Sequence, residues 1–257
     1  IVNTYTYNAT YNKVATAKDG KNQTTTFTYD SATGNLLTVQ RPTVSGKVPK
    51  STSKWNSRGQ LLSTIDPTGI QTQFIYDATT EKLLSQIANT NWRCTVGGTA
   101  TAGNILTINV NDAGLPGGTK AISYTVVAGN TLAQIATGLG NAVNADTQLA
   151  ALGIVAYVDA TVISISTSPG NTTTFTGSTS GGATGTLTLA AGLNLTMSFG
   201  HNSRGDVTSI TDARSNTTTI SYDVLRRRTQ VTAPTPFSYL TKFTFDDNGR
   251  SEERRVG

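Results

Sequence analysis

The feature that most constrains this chain is a recurring pair, an aromatic ring followed at once by Asp or Asn. It stands at Tyr7-Asn8, Tyr29-Asp30, Trp55-Asn56, Tyr76-Asp77, Tyr222-Asp223 and Phe245-Asp246, with His201-Asn202 as a variant. Successive intervals are 22, 26, 21, 125, 21 and 23 residues. A period of this size marks one supersecondary unit laid against copies of itself. Taking one period out of the long interval leaves about 100 residues between two repeats, the size of a small domain.

Each unit has a local logic. Thr24–Tyr29 alternates Thr with aromatics, which suits a pleated, half-buried strand. An Asp or Asn next can accept hydrogen bonds from the backbone just ahead, and a Gly supplies the positive φ of a tight turn. Asp30 to Gly34, Asn56 to Gly59, Asn202 to Gly205 and Asp247-Asn-Gly249 all read this way. A return strand follows, as in Asn35 to Val39 or Gln60 to Ile65, and then a break such as Asp66-Pro67-Thr68-Gly69. Gln40 to Lys54, with Pro42, Gly46 and Pro49, reads as one longer connection that stretches an interval to 26 residues.

Phe27-Thr-Tyr29-Asp30 with Gly34-Asn-Leu36, Asp66-Pro-Thr-Gly69 with Ile75-Tyr76-Asp77, Ser221-Tyr222-Asp223, and Asp246-Asp-Asn-Gly249-Arg250 together resemble the YD-repeat family, also called RHS repeats. The matches recur in register over about 150 residues and leave out the long middle stretch. Trp55-Asn56, His201-Asn202 and the Gly-less Tyr222-Asp223-Val-Leu-Arg depart from the pattern, so altered turns are expected there. The resemblance implies a bacterial exported or cell-surface protein. Members of the family wind such repeats into a hollow β-shell around a C-terminal toxin, or serve in contact and attachment. It also implies that the rest of a longer RHS polypeptide is a partner. The start at Ile1, without Met or signal peptide, agrees with a piece of a longer protein.

The expected domains are repeats over 1–91, an inserted module over 92–195 and repeats again over 196–257. Composition shifts at those limits. Sixteen of the 25 glycines lie between residues 95 and 195, where the only charges are Lys120, Asp112, Asp146 and Asp159. Strands are expected at Ile105–Val110, Lys120–Val127, Ile154–Val158 and Thr161–Thr167, with Thr-rich segments at 172–176 and 185–190. Leu132, Ile135, Ala136, Leu139 and Val143 form one apolar stripe at helical spacing, so a helix runs from Asn130 or Thr131 to about Ala145. Gly138 and Gly140 cost it about 1 kcal/mol each, so packing on a sheet must hold it. The fold class is therefore mainly β, an antiparallel YD-repeat hairpin sheet with an inserted small α+β, sandwich-like module bearing one helix.

The net charge of +5 becomes −2 in the module and +7 in the flanking repeats, with Arg226-Arg227-Arg228 the one dense cluster and Arg254-Arg255 near the end. Such runs read as solvated hairpin faces and predict no specific nucleic-acid partner. No run reaches the ~18 apolar residues of a membrane span. The single Cys94 and single His201 exclude an internal disulfide and a soft-metal cluster. No catalytic residue, metal or cofactor is expected. His201 fills a patterned aromatic slot, no Gly-x-Ser-x-Gly elbow is present, and most acids are turn residues. Gly97-Gly98 and Gly181-Gly182 lack a phosphate-loop lysine and read as turns. For ligand binding the candidates are Trp92, at the module's start, and Tyr157. Tyr124, which shares a face with Ile122 and Val126, reads as core.

Three functional readings follow. The first is a non-enzymatic scaffold carrying a recognition module, for a glycan or a cell-surface ligand. The second is a structural section of a toxin-encapsulating shell. The third, a glycan hydrolase, needs two otherwise unused carboxylates facing each other in a cleft.

Overall fold

The computed structural model describes residues 2–246 and 249–256, the last six by backbone alone. Asp247-Asn248 of the last expected turn and the Arg254-Arg255 side chains lie outside the described residues. Contacts divide the chain into two compact units, Ile1–Gln73 with Ala88–Leu193 and Phe74–Ile87 with Asn194–Gly257.

In the repeats the strands follow chain order. β1 (Thr4–Tyr7), β2 (Val14–Lys18), β3 (Thr24–Tyr29), β4 (Leu36–Gln40), β5 (Lys50–Trp55), β6 (Leu61–Ile65), β7 (Gln71–Tyr76) and β8 (Leu83–Ala88) are each hydrogen-bonded to the next. The connection before β5 is shorter than expected, 41–49, because Lys50–Thr52 pairs as strand against β4 and Thr52–Trp55 against β6. The hairpins share one irregularity. Opposite the landmark ring the return strand carries one extra residue: Leu37 opposite Thr28/Tyr29, Ala15 opposite Thr6/Tyr7, Leu62 opposite Lys54/Trp55. A β-bulge re-aims a side chain and steepens the local twist. Here it recurs at each of these aromatics.

Residues 92–190 form two sheets, one long helix and one short one. Their strands are β9 (Trp92–Gly98), β10 (Ile105–Asn111), β11 (Thr119–Thr125), β12 (Val155–Asp159), β13 (Val162–Ser166), β14 (Thr174–Thr179) and β15 (Gly185–Ala190). One sheet has the order β11-β10-β14 and the other β12-β13-β9-β15. Between β11 and β12 run α1 (Leu132–Ala145) and the short α2 (Thr147–Ala151). Thr131 caps α1 through a capping box with Gln134, and Asp146 caps α2. Among the described residues every buried hydrophobic side chain lies between Cys94 and Phe175, including Leu106, Ile108, Ile135, Leu139, Ile163 and Ile165. Burying each is worth about 1.5–3 kcal/mol. Repeat strands, by contrast, hold half-buried rings and aliphatics such as Phe27, Tyr29 and Leu36.

Three details of this region differ from expectation, each for a steric or local reason. Gly97 and Gly98 are strand residues opposite Thr186 and Gly185, and a Cβ on Gly98 would lie 2.2 Å from the Thr184 carbonyl. β9 and α2 lacked a clear period in sequence. Gly138 and Gly140 serve close approach, since added Cβ atoms would lie 2.1 Å from the Tyr124 ring and 2.3 Å from Val158. The helix gives up propensity to sit tightly on β11 and β12.

In the second unit the strand order passes from β8 directly to β16 (Leu195–His201), then β17 (Val207–Thr211), β18 (Thr217–Tyr222), β19 (Arg228–Thr232), β20 (Leu240–Phe245) and β21 (Ser251–Val256). The same bulge recurs at Gly200/His201 and Ser221/Tyr222, so His201 occupies the aromatic position with unchanged backbone geometry.

Candidate functional site

The turn carboxylates are consumed by backbone. Asp30 Oδ1 accepts from the Ala32 and Thr33 amides, and Asp77 Oδ1 from those of Thr79 and Thr80, with Gly34 and Glu81 at positive φ four residues after the acid. A second class is one residue shorter. Asn56, Asp66, Asn202, Asp212 and Asp223 each accept from the amides two and four residues on, with Gly59, Gly69, Gly205, Ser215 and Arg226 at positive φ. The turns that depart from the family pattern thus share one tight geometry, and at 223–226 an arginine takes glycine's place at φ 64. A left-handed non-glycine costs about 1 kcal/mol. The Arg226 guanidinium sits 2.6 Å from Asp206, which offsets part of it.

The landmark rings join one hairpin to the one before. Tyr29 Oη donates to the Val14 carbonyl (2.8 Å), Trp55 Nε1 to that of Leu36 (2.7 Å) and Tyr222 Oη to that of Val207 (2.8 Å). Basic residues reach the other way, to the next turn. Lys13 Nζ donates to the Gly34 carbonyl (2.7 Å), Lys82 Nζ to that of Asn202 (3.1 Å) and an Arg204 guanidinium nitrogen to that of Val224 (2.9 Å). Lys82 and Asn202 are far apart in sequence yet meet as neighbouring repeats do.

In the second unit the turns at 202–206 and 222–224 border an open cavity of about 450 Å³ lined by Arg204, Asp206, Tyr222, Asp223 and Val224 among others. Its two carboxylates are both engaged. The Asn202 amide and then Arg226 hold Asp206 below the usual carboxylate range. At Asp223 burial pushes upward, but the Arg227 amide and guanidinium and the Leu225 amide together outweigh it. A glycosidase acid requires the opposite shift. Among the described residues no three His, Cys, Asp or Glu side chains gather as a metal site.

In the first unit the 92–190 region is seated on the repeats by a polar seam. Gln71 Nε2 donates to the Thr167 carbonyl (2.7 Å), and its Oε1 accepts from the Thr90 hydroxyl (2.9 Å). Gln73 reaches the same carbonyl (3.3 Å), and Asn91 Oδ1 accepts from the Gln71 amide (3.3 Å). Lys47 pairs with Asp159. Lys54 Nζ lies 3.3 Å from the Gly153 carbonyl, and burial pushes this ammonium below its ordinary range.

Tyr157 belongs to this seam. Its Oη donates to the Pro67 carbonyl (2.7 Å) and its ring covers Gly69, where a Cβ would sit 2.6 Å away. Trp92 is half-buried, edge-on to Phe175 at 5.6 Å. Tyr124 donates to Asn130 and lies over Gly138. Burial pushes the Cys94 thiol up to about 12. Trp92 thus packs on Phe175, whereas Tyr157 packs on Pro67 and Gly69. Sequence reasoning passed over Phe237 and Tyr239, which stack on each other in the exposed connection between β19 and β20. The signal was there in Pro234-Thr-Pro-Phe-Ser-Tyr239, two aromatics two apart behind two prolines.

Residues 201–238 match the family model for the RHS Repeat. No curated protein matches the sequence. Among solved structures, the chain is similar to the TcdB2–TccC3–Cdc42 complex, with 14% identity over 99% of this chain and 13% of that one, at a TM-score of 0.30. It is likewise similar to the Photorhabdus luminescens Tc holotoxin pore, with 11% identity over 98% of this chain and 12% of that one, at a TM-score of 0.29. The chain therefore spans about an eighth of those chains' length.

Proposed function

We propose that the chain is a structural section of an RHS-type β scaffold, in which residues 92–190 form an inserted module that braces the repeats. One observation carries this reading. The residues that define the repeat spend their hydrogen-bonding atoms on neighbouring repeats and on their own turns, as Tyr29, Trp55, Tyr222 and Asp30 show. Side chains so committed build a wall. The reading involves no catalytic step.

The match over residues 201–238 supports the RHS assignment, and the bypass from β8 to β16 supports insertion. In its finer form the proposal makes this an exported polypeptide's wall segment around an enclosed toxin. Limited proteolysis of the polypeptide with its natural flanking segments tests it. The expected result is that a segment outside the repeats resists protease until the wall is opened by denaturant. Immediate digestion of every other segment, with the repeats intact, sinks the enclosing reading.

A further inference from the structure

We draw no further inference here: the strongest candidate, the exposed stacked pair Phe237 and Tyr239 in the connection between β19 and β20, carries nothing because nothing in the structure shows what covers it.

Discussion

At the scale of single residues, two glycines separate conformation from contact. Gly59 and Gly69 both close tight turns at φ +77 and +82. A Cβ on Gly59 meets open space, whereas on Gly69 it meets Tyr157 at 2.6 Å and Ser164 at 3.0 Å. Gly59→Ala should therefore cost only the left-handed penalty, about 1 kcal/mol. Gly69→Ala should cost about 2–4 kcal/mol, because overpacking adds to it. Chemical denaturation of both variants checks this, and equal losses would mean that Tyr157 does not hold that turn. A second comparison concerns the landmark hydroxyl. Tyr222→Phe removes only its bond to the Val207 carbonyl and should lower stability by about 1 kcal/mol.

At the scale of elements, the seam decides whether the 92–190 region is a free appendage. Gln71 is buried and serves both the Thr167 carbonyl and the Thr90 hydroxyl. Gln71→Ala leaves the Thr90 hydroxyl without its partner and the Thr167 carbonyl with only the longer bond from Gln73, at a cost of about 2–3 kcal/mol. Cys94, fully buried in β9 with its thiol at about 12, reports the event independently. A thiol reagent should label it only through opening of the core, and Leu139→Ala, which empties a core position, should speed labelling at least tenfold. Should Gln71→Ala leave both stability and hydrogen exchange at Thr167 unchanged, the brace would fail as an explanation. The sheet of repeats has little buried apolar surface of its own, so backbone ladders, Asx turns and cross-repeat bonds carry its order.

At the scale of the whole molecule, the turns predict a pH response. Hydrogen bonds lower the carboxyls of Asp30, Asp77 and Asp212, foremost from the Thr33 hydroxyl, the Thr80 amide and the Asn216 side chain respectively. A folded-state value below the unfolded one means stability is present above the ordinary carboxylate range of about 4 and is lost as pH falls through the lower folded values. Thermal unfolding followed from pH 7 to pH 2.5 should be flat down to about pH 5 and then decline. A combined Asp30→Asn, Asp77→Asn, Asp212→Asn variant should decline less, since Asn56 and Asn202 show that an amide oxygen makes the same turn. A melting temperature independent of pH across that window would show that these turns do not contribute.

How much of this was legible from residues alone follows from the range of the interactions. Hairpin and turn patterns such as Thr24–Gly34, and the helix stripe from Leu132 to Val143, are set by neighbours a few positions apart, so spacing and residue type revealed them. The 125-residue interval and its glycine-rich, nearly uncharged interior likewise announced a different kind of packing. What Tyr157 touches could not be read, because Pro67 and Gly69 lie some 90 residues away and only the fold brings them together. The roles of Gly138 and Gly97 were hidden for the same reason. A missing Cβ looks like a breaker or a turn in sequence, and becomes a requirement once a ring or a strand lies against it. Local propensity chose the elements of this protein; the seam and the cross-repeat bonds were decided by which distant surfaces those elements could bury.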